Sequence, residues 1–207
     1  MTVPTMQDLL LVVPDKNTHF ALRGALARPE ALGTRTITHR FDVHPHRDSG
    51  VRITGAAMAN LQRAQFSHAL LIFDHEGCGD EGKTPGELEA ELEGKLRPVW
   101  DDAGRVVVIH PEVDVWLWGG DNTLAEVLRW PLSQGIRPWL TEREWKFDER
   151  GKPRRPKEAF EKLREVHGIP RSSSLYEEIA SRLSLRRCAD ASFQRLREIL
   201  CDWFPPA

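Results

Sequence analysis

Five carboxylates, Asp15, Asp74, Glu76, Glu112 and Asp114, follow closely on the most apolar runs of the chain. Hard oxygen donors in that number suit Mg²⁺ or Mn²⁺, ions that keep several waters and take one or two protein carboxylates each. Asp74 and Glu76 stand at i and i+2, so they project to the same side if a strand runs through them. Gly77 and Gly79 would then let the backbone turn tightly beside an ion. Each acid has an alternative use, because a carboxylate near a helix N-terminus is favourable, and Glu112 or Asp114 could serve there. Independent capping would not need both Asp74 and Glu76.

The elements that must bring these groups together are legible in the apolar pattern. Leu9 to Val13, Ala69 to Phe73 and Val106 to Ile109 are continuous apolar runs, as in strands buried on both faces. They end at Pro14-Asp15, at Asp74-His75-Glu76-Gly77-Cys78-Gly79 and at His110-Pro111-Glu112. Thr36 to Val43, with Ile37, Phe41 and Val43 alternating with other residues, reads as an edge strand. Helical spacing fills the gaps: one helix capped by Asn17, one over Ile53 to Phe66, and one opened by Pro85-Gly86 and running to about Leu96. The expected fold is α/β, with about four mostly parallel strands over residues 1–120 and a helical C-terminal region, 121–207, packed on it. Parallel sheets carry their reactive groups beyond the carboxyl ends of the strands, and neighbouring strands lie roughly 5 Å apart, so strand-end carboxylates converge.

Beyond Arg137 the chain is rich in charge: 16 Lys and Arg against 10 Asp and Glu over residues 137–197, whereas residues 76–102 hold 3 against 9. Ser174 with Glu177 three positions on has the form of a capping box for a helix through about Leu183, and a last amphipathic helix runs from about Ala191 to Phe204. Lys152, Arg154, Arg155 and Lys157 form a basic run with Trp139 and Trp145 nearby in sequence, able to engage nucleic-acid phosphates and stack on bases, or to be a solvated loop. Trp116, Trp118 and Trp130 lie in apolar surroundings, as core or subunit-interface residues do. The net charge of −2 over 207 residues singles out no polyanionic or cationic partner, and seven Trp with eight Phe argue against disorder. Cys78, Cys188 and Cys201 are scattered, which excludes a disulfide framework and disfavours structural zinc. His44-Pro45-His46 could chelate a metal, but reads more simply as a solvated strand-end turn. No apolar run approaches the roughly 18 residues of a membrane span, and MTVPTMQDLL has no basic, then apolar, leader, so a soluble cytoplasmic protein without membrane contact is expected.

Three of these segments resemble the Toprim-like families of bacterial defence loci, including RloB-like proteins, which are similar in fold to the overcoming-lysogenization-defect nucleases. In those families a first strand ends in a Val-Glu-Gly turn and a later one in Asp-x-Asp or Asp-x-Glu. A third is followed by Pro-x-x-Glu or Pro-Glu-x-Glu leading into a Trp-rich helix. Here the matching segments are Val13-Pro14-Asp15, Phe73-Asp74-His75-Glu76-Gly77 and Pro111-Glu112-Val113-Asp114-Val115-Trp116-Leu117-Trp118. The first-turn Glu is replaced by Pro14 or, one position on, by the shorter Asp15. The resemblance implies Mg²⁺- or Mn²⁺-dependent, nuclease-like phosphodiester chemistry in antiphage defence. Asp74 and Glu76 would be metal ligands, Asp15 a ligand or base, and Glu112 a supporting ligand or catalytic group. DNA or RNA and other proteins of a defence system would be the partners. The alternative is a non-catalytic Toprim-like subunit that binds protein or nucleic acid within a defence complex.

Overall fold

The computed structural model describes residues 6–131 and 133–206; Met1–Thr5, part of the stretch read above for a leader, lie outside them. The three apolar runs are strands β1 (Gln7–Val13), β3 (Phe66–Asp74) and β4 (Gly104–Ile109), and β2 (His39–Val43) lies outside β1. They form one four-stranded sheet, order β2-β1-β3-β4, parallel throughout. The α/β class read from the sequence is therefore the architecture observed, and at this coarse level it fits a Toprim-like fold.

Alternation along the strands divides the core into two layers. Leu10, Val12, Leu71, Phe73, Val106 and Val108 pack against α4 (Ala56–Asn60) and α5 (Pro85–Trp100) through Ala59, Leu88, Leu92 and Trp100. Leu9, Leu11, Val13, Leu70, Ile72 and Val107 face α1 (Lys16–Leu26) and α11 (Ala191–Trp203). Trp116, Trp118, Trp130, Phe160 and Tyr176 join this second layer, so the chain beyond residue 120 shares a core with the sheet. The short helices α2 (Pro29–Leu32), α3 (Arg47–Gly50), α6 (Asp114–Leu117), α7 (Asp121–Val127) and α8 (Ile136–Thr141) are connectors. The longer α9 (Pro156–Val166) precedes α10 (Ser174–Ala180), which lies along α1. Among the described residues, no helix is long and apolar enough to cross a membrane.

Several local expectations are corrected. The cap of α1 is Asp15, whose Oδ1 accepts the Thr18 N–H at 2.9 Å; Asn17 lies inside the helix. The helix expected over Ile53 to Phe66 is a π-helical turn, Val51–Gly55, followed by α4, and Phe66 already belongs to β3. Ser174 begins α10 without a capping box, because Glu177 is drawn instead to Arg23 of α1. The complete capping box is at α5, between Thr84 and Glu87. His44 is buried rather than solvated, with its Nε2 2.9 Å from the Thr54 hydroxyl and its Nδ1 accepting the His46 N–H. Trp139, expected near a nucleic-acid surface, is also buried, with the Arg143 guanidinium over its ring at 3.9 Å.

The two edges of the sheet are finished differently. On β4, Glu93 Oε1 accepts the Val106 N–H at 3.1 Å and Glu89 Oε1 the Val108 N–H at 3.0 Å. Arg195 donates from Nε to the Val106 carbonyl and pairs with both glutamates. Side chains thus occupy the hydrogen-bonding positions of a neighbouring strand. Edge strand β2 packs on β1 and α1, and its Arg40 and Asp42 side chains are hydrogen-bonded to Gln62 and Gln65.

Candidate functional site

The carboxyl ends of the strands gather five acids, as the sheet order requires. Asp15 leaves β1, Asp74 is the last residue of β3, and Glu112 and Asp114 follow β4. The fifth, Asp48, arrives from α3 just beyond β2, and its Oδ1 accepts the backbone N–H of Asp74 at 2.8 Å. Asp74 Oδ1 in turn accepts the Val113 N–H at 2.9 Å, which ties the end of β3 to the loop carrying Glu112 and Asp114.

Charge at this end is crowded. The pKa of Asp74 stands well above the ordinary value, first because its carboxyl group is buried and then because Asp48, Asp114, Asp15 and Glu112 are close enough to oppose a further negative charge. Burial raises Asp48 as well, although it accepts the Asp74 N–H, and Asp15 adds to the rise. Burial pushes Asp114 up to about 7 even though Tyr176 donates its hydroxyl to Oδ1 at 2.7 Å. Glu112 is raised by burial against the opposing pull of Lys157, whose Nζ lies 2.7 Å from Oε2. Lys157 is itself raised, the ion pair with Glu112 outweighing burial.

Of the residues expected from sequence, Asp15, Asp74, Glu112 and Asp114 are therefore brought together. Glu76 sits apart from the innermost group: β3 stops at Asp74, and Glu76 is exposed in the following turn, where its charge is felt by Glu112 and His110. Asp48 was missed. It lies five residues past β2 within His44-Pro45-His46-Arg47-Asp48, a segment that looks like a solvated turn, and the available signal was its place after a fourth parallel strand.

The basic run divides. Lys152 is buried, donating to the Val115 carbonyl at 3.0 Å and pairing with Asp190 at 3.3 Å; this corrects its expected role in phosphate contact, because Asp190 caps α11 inside the protein and needs a cation there. Lys157 faces Glu112, as above. Arg155 is exposed beside Glu158, and Arg154 is exposed with Nε donating to the Phe147 carbonyl. A cleft of about 720 Å³ runs along the outer side of β4, with His110, Arg150, Lys152, Arg154 and Arg195 among its walls. At its sheet-end wall the Nδ1 atoms of His110 and His75 are 3.3 Å apart, and His75 Nε2 donates to the Lys83 carbonyl at 2.8 Å.

The donor set is all carboxylate oxygen, the chemistry of a hard divalent cation. Among the described residues no three His, Cys, Asp or Glu side chains are grouped closely enough to enclose an ion. Binding through one or two carboxylates and water, the usual Mg²⁺ mode, asks for less than that. No family model, curated protein or solved structure matches the chain, so the functional reading rests on these residues.

Proposed function

We propose that the chain is a Mg²⁺- or Mn²⁺-dependent, nuclease-like enzyme acting on phosphodiesters of DNA or RNA, within an antiphage defence system, as the resemblance to Toprim-like families implies. One observation supports this above the rest: the strand ends bring Asp15, Asp48, Glu112 and Asp114 close around Asp74, a crowding of like charge that a divalent cation would relieve. Asp74 would hold the ion with Asp48 or Asp15, and Glu76 and Glu112 stand at the margin to complete or support the set. When bound, such an ion polarises a phosphoryl oxygen. Asp15 or Glu112, whichever is left free of the ion, would take the proton of the attacking water or hydroxyl as its oxygen bonds to phosphorus and the opposite P–O ester bond breaks, the leaving oxygen taking a proton from solvent. Lys157, on the first turn of α9, holds Glu112 in place and brings positive charge to the site.

A second reading, the non-catalytic defence subunit, is favoured by two contacts. Asp15 commits one oxygen to capping α1, and Glu112 commits one to Lys157. Turnover of bis-p-nitrophenyl phosphate and of labelled DNA and RNA strands with Mn²⁺ separates the two. Enzyme activity should fall at least about 100-fold in Asp74→Asn, a loss expected when a principal ligand is removed, while the melting temperature stays level or rises. Wild-type protein without Mn²⁺-dependent turnover, or Asp74→Asn with full turnover, overturns the enzymatic reading.

A further inference from the structure

We infer that the chain forms a two-fold symmetric dimer through β2, whose free edge pairs antiparallel with the same strand of a second copy to join two four-stranded sheets into one. This inference is independent of the chemistry proposed above.

The register of β2 against β1 turns the backbone groups of Arg40 and Asp42 inward, with the Thr38 carbonyl reaching the Leu9 N–H and the His44 N–H reaching the Val13 carbonyl. His39, Phe41 and Val43 therefore direct their N–H and C=O groups outward. Among the described residues no hydrogen bond reaches any of those outward backbone groups. The open edge is bounded at both ends. The outward carbonyl of Ile37 is taken by His39 Nδ1 at 2.8 Å, and the next outward position, residue 45, is a proline without an N–H. What remains is a three-position ladder centred on Phe41.

That ladder is self-complementary. In an antiparallel pair centred on Phe41, His39 lies opposite Val43 of the second copy, Phe41 opposite Phe41, and Arg40 opposite Asp42, twice over. Directly opposed side chains share a face about 5 Å apart, where opposite charges attract and like charges repel. Arg40 and Asp42 already project to one face, 3.2 Å apart within their own strand, where Gln62 and Gln65 accept from the Arg40 guanidinium and Gln62 donates to Asp42, so a second copy would compete with these amides for the pair. On the other face Phe41 lies tilted against His19 of α1, with centroids 4.2 Å apart, and His39 stands edge-on to it, which places an aromatic cluster beside the axis. An isologous contact needs one patch that complements itself, and a charge pair placed symmetrically about a central residue does that. The opposite edge supports the reading by contrast. Glu89, Glu93 and Arg195 seal β4 against strand addition, whereas among the described residues no side chain takes the outward backbone groups of His39, Phe41 and Val43.

The test is sedimentation velocity of the full chain over about 1–100 μM, the affinity range expected of a short ladder. Wild type should show a monomer–dimer equilibrium. Arg40→Asp or Asp42→Arg places like charges opposite each other at two symmetric positions and should raise the dimer Kd at least about tenfold. The double variant Arg40→Asp/Asp42→Arg should restore association. Phe41→Pro removes an outward N–H while sparing the bonds to β1, and should leave only monomer. Circular dichroism checks each fold, and if the charge variants unfold, Phe41→Pro decides alone. A wild-type monomer at 100 μM, a dimer indifferent to these changes, or a folded double variant that stays monomeric would each overturn the inference.

Discussion

Asp190 is a buried aspartate and Asp74 a half-buried one at the sheet end of the same protein, and they are treated in opposite ways. Around Asp190 the fold supplies a buried cation, Lys152, the Ser192 hydroxyl and the N–H groups of Ser192 and Phe193. Burial works against its charge, but these partners outweigh burial and hold its pKa below the ordinary value. Around Asp74 the fold supplies one N–H and four further carboxylates, and the pKa rises. The Glu89–Arg195–Glu93 network on β4 follows the first pattern, with a cation between the acids. Where this protein needs a buried carboxylate for structure, it provides the counter-charge from its own chain. At the ends of the strands it gathers like charges instead, which costs stability and favours a visiting cation.

The largest effect should come from breaking the structural pair. Lys152→Ala strands Asp190 in the interior, and unfolding by denaturant should show a loss of about 3–5 kcal/mol, the usual result when one member of a buried ion pair is removed. Adding Asp190→Asn should recover part of that loss, since the charge itself is gone. Recovery would show that the charge, rather than the lost packing of the lysine stem, dominates.

The next effect is one of pH. The folded-state pKa of Asp114 is about 7 against an ordinary 3.8, so on raising the pH the unfolded chain loses this proton first. Its contribution to stability is full below about pH 4 and lost as pH climbs through 7, on the order of 4 kcal/mol in EDTA. Asp114→Asn should flatten that part of the profile. An unchanged profile would mean that Asp114 ionises in the folded protein as it does in the unfolded one. Tyr176→Phe removes the hydrogen bond that steadies the ionised form, and should push the Asp114 transition to still higher pH.

A smaller change of opposite sign is expected at Asp74. Asp74→Asn keeps an acceptor for the Val113 N–H and removes one of the clustered charges, so it should stabilise the protein in EDTA at pH 8 by about 1–2 kcal/mol. Millimolar Mg²⁺ should stabilise wild type and cancel this advantage. If Mg²⁺ moves the melting temperature of neither protein, the acids are crowded for some purpose other than cation binding.

The sheet was legible because three runs of four or five apolar residues are hard to place except in buried parallel strands. The strand-end acids were legible because those runs stop abruptly at Asp15, Asp74 and Glu112. What failed depended on contacts between distant parts of the chain. Lys152 looks like any surface lysine until α11 brings Asp190, 38 residues later, to its side. Glu177 fits a capping box by spacing, but Arg23, 154 residues away, holds it elsewhere. Asp48 was hidden because β2 is short and the turn after it carries five polar or turn-forming residues in a row.

The finest distinction concerns the basic run, divided between the two kinds of carboxylate. Lys152 serves Asp190 and Lys157 serves Glu112, so a polyanion approaching this surface finds Arg154 and Arg155. Even Arg155 is shared, since it sits 2.5 Å from Glu158, an exposed pair worth little against a phosphate. If DNA or RNA crosses this face, Arg154→Ala/Arg155→Ala should weaken binding of all sequences alike. It should also lower the slope of log affinity against log salt by about one to two, because each phosphate contact releases somewhat less than one counterion. Replacing all four cations should reduce the slope little further, because Lys152 is buried against Asp190 and Lys157 is paired with Glu112, although it should unfold the protein more readily. Fluorescence anisotropy with a labelled oligonucleotide across a salt series measures this directly. A double variant that binds with an unchanged slope would place the nucleic-acid surface elsewhere and leave Arg154 and Arg155 as a solvated loop.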